Sequence, residues 1–159
     1  YDSWEKIYKS YKIEYKSFVH KDFEFINLIF LNKKNHHLKC GIIDFQSAFL
    51  GFIGWDLFSI LENPRQYFSR KYNEEFIKYF YENINTNIDF DSFKNQYYLL
   101  NLARQTRLIG RWAKLFNLEK NDLYLNYIQT TKQRIISCLN KINSKKLKLI
   151  YQSVLITNV

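Results

Sequence analysis

The fold class predicted for this chain is α+β, mostly helical, with one small β-hairpin in its first third. Three observations carry that expectation. From residue 69 onward, apolar and aromatic residues recur at helical spacing. Two short apolar runs, LIFL at 28 to 31 and Leu38 to Ile43, flank the polar stretch NKKNHH. The only proline, Pro64, falls between these regions, where it stops a helix rather than breaking one. A chain of 159 residues makes one ordinary domain, and at that size about two thirds of the unfolded surface is buried. With 47% hydrophobic residues, 14 Phe and 13 Tyr, disorder is excluded.

Taken in order, Asp2 or Ser3 caps a first helix whose positions Trp4, Ile7, Tyr8, Tyr11 and Tyr15 share a face, ending near Lys16. The stretch HKDFEFIN, residues 20 to 27, leads into the hairpin, and Asp44 stands at the hairpin's exit. A loop holding Gly51 and Gly54 precedes a short helix from about 55 to 62, which ends before Pro64. Residues 69 to 84 form the next helix, with Tyr72, Phe76, Tyr79 and Phe80 at helical spacing. Asp89 or Asp91 caps a long helix reaching about Phe116. In it Leu99, Leu102, Thr106, Ile109, Ala113 and Phe116 are expected on the core stripe, with Arg104, Arg107 and Arg111 on the opposite one. A helix from about 122 to 142 follows, and the tail KKLKLIYQSVLITNV fits no single element type. There is no repeat, interdomain linker or low-complexity segment, so residues 1–159 read as a single unit.

Composition narrows the function. The net charge of +9 comes from 24 Lys and Arg against 15 Asp and Glu, which raises nucleic acid as a partner. The lysines, however, are dispersed beside abundant Asn, Ile, Tyr and Phe, as a compositionally biased genome produces, and no nucleic-acid role is expected. Cys40 and Cys138 are too few and too far apart for a disulfide framework or a zinc site, so a reducing cytoplasm is the expected setting. No apolar run approaches the ~20 residues that span a bilayer, and no membrane role is expected. The chain opens on Tyr1 and contains no Met, and it is read as a fragment.

The chemistry is concentrated in His20, Asp22, Asn27 and Asp44. Their order is that of the parts needed for phosphoryl transfer: H-x-D-x-x-x-x-N is the offset of the protein-kinase catalytic loop, and a strand-turn-strand then delivers a second aspartate. A carboxylate must meet the acceptor hydroxyl and take or orient its proton, which suits Asp22 on a loop. Mg²⁺ on nucleotide phosphates takes hard oxygen ligands, which Asn27 and Asp44 supply. His20, beside Phe18 and Val19, is read as a packing and hydrogen-bonding residue of the loop. Each residue also has an ordinary structural reading: Asp22 as a turn cap, Asn27 as the holder of a bend, Asp44 as a strand end. It is the order, with an apolar hairpin between, that favours the chemical reading.

FVHKDFEFINLIFL, CGIIDFQSAFLG and GWDLFSIL together resemble the aminoglycoside phosphotransferase and choline kinase superfamily, whose members carry H-x-D-x-x-x-x-N, then I-D-F or I-D-W, then Asp-Leu on the following helix. DFQ and the later ARQTRLIGRWAKLF look most like its bacterial cell-wall amino-sugar kinases, which phosphorylate the anomeric hydroxyl of N-acetylmuramate or N-acetylglucosamine and serve peptidoglycan recycling. The match runs from about residue 18 to 140. It implies the carboxy-terminal lobe of a protein-kinase-like fold, ATP and Mg²⁺ as cofactors, and a small-molecule sugar as acceptor. It implies Asp22 as catalytic carboxylate, Asn27 and Asp44 as metal ligands, and His20 and Asp56 as braces of the site. Asp56 has an alternative as a first-turn acid favoured by the helix dipole. Lys21, Glu24, Gln46, Arg104, Arg107 and Arg111 become possible acceptor-binding residues. Lys21 stands where that branch has Arg or Gly, Glu24 where it often has His, and Ser47 where an Asp commonly follows DFQ.

A kinase of this kind also needs a smaller lobe with a glycine-containing phosphate loop and a strand lysine. Only 19 residues precede His20, and Gly41, Gly51, Gly54 and Gly110 are scattered downstream. The nucleotide-binding lobe is therefore expected in cis from a longer chain, and residues 1–159 alone are expected not to turn over. The other readings are an aminoglycoside or choline-type kinase and a non-catalytic, basic helical remnant that binds a partner.

Overall fold

The computed structural model describes residues 4–6, 9 and 17–155. The chain divides into two compact units, Tyr1–Asn87 and Ile88–Val159.

In the first unit, the hairpin joins β2 (Leu28–Phe30) and β3 (Cys40–Ile42) in antiparallel register, Leu28 opposite Ile42 and Phe30 opposite Cys40. The Leu31 N–H donates to Lys39 O at 2.7 Å and the Ile43 N–H to Asn27 O at 3.0 Å, so pairing continues past both strand ends. A second sheet, absent from the sequence reading, pairs β1 (Ser17–Val19) with β4 (Phe49–Gly51). Residue 51 is glycine for a local reason: a Cβ there would stand 2.5 Å from the Phe49 ring and 3.1 Å from Val19. That ring packs edge-on against Trp55, 5.5 Å between centroids. The chain then enters α1 (Trp55–Leu61), which ends where the Glu62 N–H donates to Phe58 O, ahead of Pro64. Ser69 caps α2 (Arg70–Asn83) by accepting from the Tyr72 N–H. Asn73 of α2 donates to Glu62 Oε1 at 3.1 Å and so ties α2 to the end of α1. Among the described residues, Val19, Phe52, Phe58, Leu61 and Ile77 are the large buried apolar side chains of this unit.

The second unit is helical. Asp89 caps α3 (Phe90–Glu119), its carboxylate accepting from the Ser92 N–H at 2.8 Å and the Ser92 hydroxyl at 2.7 Å. Those two bonds, the backbone one first, hold the exposed Asp89 carboxyl below its ordinary value of 3.8. Lys120, left-handed at φ 54°, ends α3, and α4 (Leu123–Lys141) packs back on it. Trp112 anchors that packing: its ring lies against Tyr124 and Tyr127, and its Nε1–H donates to Thr131 Oγ1 at 3.2 Å. The ambiguous tail forms α5 (Lys145–Leu155), which buries Leu147 and joins α3 through a 2.6 Å bond between the Tyr151 and Thr106 hydroxyls. Among the described residues no helix is long and apolar enough to cross a membrane.

One expectation changes, and another falls largely outside the described residues. The predicted first helix lies outside the described residues except at 4–6 and 9, which are helical. The core stripe of α3 is rotated: Asn101, Gln105, Leu108 and Trp112 are its buried line, while Thr106 and Ala113 are exposed. Arg104 borders this line and is only 5% exposed, unlike Arg107 and Arg111, which are exposed. The three arginines therefore do not form one solvent-facing stripe. The cause is that Tyr97 to Leu102 are buried on all sides of the helix, leaving no apolar phase to extrapolate.

Candidate phosphoryl-transfer site

Every motif residue up to Asp56 lies in the first unit, and a set of hydrogen bonds joins their segments. The loop after β1 begins at His20, 3% exposed, and is gripped from α1: Asp56 accepts from the His20 N–H at 2.7 Å and the Lys21 N–H at 3.0 Å, one bond per carboxylate oxygen. Asp56 sits in the first turn of α1, where the helix dipole favours its charge and its oxygens face the incoming loop. Lys21 has a left-handed backbone, φ 76°, a conformation that costs a long side chain energy and that glycine adopts freely. The grip on its N–H holds that kink, which turns the chain toward Asp22.

The far end of the loop is fixed differently. A 3₁₀ turn, Phe25–Asn27, closes with the Asn27 N–H on Glu24 O at 2.9 Å. The Asn27 side-chain amide reaches back to donate to the backbone carbonyl of Asp22 at 2.8 Å. Asp22 and Asn27 are thus locked into one local ring, and the Asp22 carboxylate is not consumed in making it. Across the hairpin, Ile43 is held twice. Its N–H donates to Asn27 O, and its carbonyl lies 2.8 Å from His20 Nε2, which fixes the ring as the Nε2–H donor. His20 Nδ1 is buried with no hydrogen-bond partner. Asp44, the next residue, is left-handed at φ 67°, a conformation aspartate tolerates better than most residues, and it is exposed. Gln46 Nε2–H donates to Asp44 Oδ1 at 2.8 Å.

The structure therefore links Asp22, Asn27, His20, Ile43 and Asp56 in one hydrogen-bonded array, with Asp44 one residue beyond it and Gln46 on Asp44. The side-chain oxygens of Asn27 and Asp44 are hard ligands of the kind Mg²⁺ takes. With its NH₂ turned to Asp22 O, the Asn27 side chain has its oxygen as the remaining donor atom, and Asp44 keeps a second carboxylate oxygen beyond the one bound to Gln46. Of the possible acceptor-binding residues, Lys21 and Glu24 are on the loop and half-buried, and Gln46 is exposed beside Asp44. Arg104, Arg107 and Arg111 belong to the second unit.

Arg65, unmarked in the sequence, also reaches this loop. Its guanidinium Nη1 pairs with Glu24 Oε2 at 2.8 Å, two residues from Asp22. No sequence signal marks a pair 41 positions apart.

Residues 12–91, half of the chain, match the phosphotransferase enzyme family. Over 129 residues, 79% of this chain, there is 26% identity to the N-acetylmuramate/N-acetylglucosamine kinase of Caulobacter vibrioides. The match covers 35% of that relative, so the chain spans about a third of its length.

Proposed function

This chain belongs to the phosphotransferase enzyme family, and from that premise we propose that it is the carboxy-terminal lobe of an ATP- and Mg²⁺-dependent kinase for a small-molecule hydroxyl. The acceptor proposed is a cell-wall amino sugar, N-acetylmuramate or N-acetylglucosamine, phosphorylated at its anomeric position. The observation that carries the reading is the array just described, which fastens the Asp22 loop, Asn27 and the residue before Asp44 to one another.

In this reading the Asp22 carboxylate accepts a hydrogen bond from the acceptor hydroxyl, aligns its oxygen with the γ-phosphorus, and takes the proton as the O–P bond forms and ADP leaves. Asn27 and Asp44 would hold Mg²⁺, which when bound offsets negative charge on the phosphates. Asp56 keeps the loop at its working height by holding two consecutive N–H groups, and His20 spaces the loop from the hairpin. The nucleotide-binding lobe would come in cis from a longer chain, and residues 1–159 alone would not turn over. Two facts support that division. The chain spans 35% of its relative's length. The loop and hairpin also leave large apolar side chains in the open, Ile26 at 79% and Phe30 at 77% exposure, as a face that another lobe covers would.

The amino-sugar acceptor is supported by the relative's named substrates and by the net charge of +9, which disfavours a polycationic acceptor. The full-length protein, supplied with ATP and either N-acetylmuramate, N-acetylglucosamine, choline or kanamycin, tests it by ADP release. The expected result is a kcat/KM for one of the sugars at least about tenfold above either cation, a margin of ~1.4 kcal/mol. A preference for choline or kanamycin contradicts the sugar assignment. Transfer to none of the four leaves the non-catalytic remnant as the better reading.

A further inference from the structure

We infer that Arg65 is a positioning residue: residues 63–68, anchored by its ion pair to Glu24, form a clamp that sets the loop carrying Asp22 and Asn27. The inference rests on the kinase reading for its functional consequence and on geometry alone for the clamp.

The loop is held at its start by Asp56 and at its end by the 3₁₀ turn and the hairpin. Neither fastening acts on the side chains of Glu24 and Phe25. These two consecutive residues reach the same distant segment. Glu24, its side chain 18% exposed, pairs with Arg65, and Phe25 stacks on Phe68 with ring centroids 5.9 Å apart. The start of the segment they reach is bonded to itself. Asn63, buried, accepts from the Arg65 N–H through its side-chain oxygen at 3.0 Å, the Gln66 N–H returns to Asn63 O at 3.1 Å, and Pro64 fixes a backbone dihedral between them. The Arg65 side chain is 39% exposed against 18% for Glu24. A pair this open contributes little to global stability, so its value lies in fixing geometry. A shift of the Asp22 carboxylate by about 1 Å is enough to cost on the order of 10²-fold in rate.

The test compares the wild type with Glu24→Gln, Arg65→Ala, Arg65→Lys and the exchanged pair Glu24→Arg with Arg65→Glu. On the 159-residue chain, amide hydrogen exchange across 21–27 is expected to speed about three- to fivefold in Arg65→Ala and Glu24→Gln. Protection in 55–61 and 90–119 stays unchanged. Arg65→Lys and the exchanged pair recover most of the protection. In the full-length protein, Arg65→Ala lowers kcat about tenfold with KM for ATP within twofold, and the exchanged pair restores kcat. Unaltered exchange at 21–27, or an exchanged pair no better than the single variants, overturns the clamp. Altered exchange with an unchanged kcat overturns its catalytic role. If the wild type transfers no phosphoryl group, the kinase reading fails, and the exchange results alone then decide the clamp.

Discussion

Asp22→Asn in the full-length protein lowers kcat on the order of 10²-fold or more and leaves KM for ATP within a few-fold. The side chain changes from a carboxylate that can take a proton to an amide of equal size that cannot. What makes the substitution clean is that the loop does not depend on the carboxylate. The Asn27 amide binds the backbone carbonyl of residue 22, and the flanking grips fall on the N–H groups of His20 and Lys21. The thermal midpoint and the exchange protection of the loop should therefore match the wild type, so that the lost rate reports chemistry rather than folding. Retention of more than about a tenth of the wild-type kcat would remove Asp22 from proton transfer.

Asp56→Ala is expected to act in the opposite way, through structure. Two backbone N–H groups lose a charged acceptor, and Lys21 loses the grip that holds its left-handed kink. Hydrogen bonds to charged groups contribute about 1.5–3 kcal/mol each. Asp56 is half-buried, and water partly replaces the loss, so a destabilisation of about 2–4 kcal/mol is expected. Asp56→Asn, which keeps one acceptor oxygen, should lose roughly half as much. Denaturant unfolding measures both, and exchange at the His20 and Lys21 amides localises the effect. A variant in which those amides stay protected would mean that the helix, not the carboxylate, holds the loop.

The parts of this architecture that were readable in the sequence are those with a period or a fixed offset. The hairpin declares itself by two apolar runs around a polar turn, and α1 to α4 by helical spacing, with Pro64 after α1 and the Asp89 cap before α3 as punctuation. The candidate site residues stand out in the sequence for the same reason, since H-x-D-x-x-x-x-N is a local spacing. What was not readable is non-local or aperiodic. Strands β1 and β4 are three residues each and pair Val19 with Phe49, too short for an alternation to show. The tail alternates KLKLI before turning helical in content, so strand and helix periods compete in it. Arg104 falls opposite the expected core stripe because Leu99 and Leu102 set a phase that the fully buried start of α3 does not obey. Arg65 became meaningful only once folding had brought it to Glu24.

A structure of the full-length protein with Mg²⁺, a non-hydrolysable ATP analogue and N-acetylglucosamine measures the central claim most directly, because that claim is a convergence of side chains. The account predicts the metal at about 2.1 Å from the Asn27 side-chain oxygen and an Asp44 carboxylate oxygen, and the acceptor hydroxyl within about 3.2 Å of the Asp22 carboxylate. A metal held by other residues, or a sugar bound out of reach of Asp22, would contradict it.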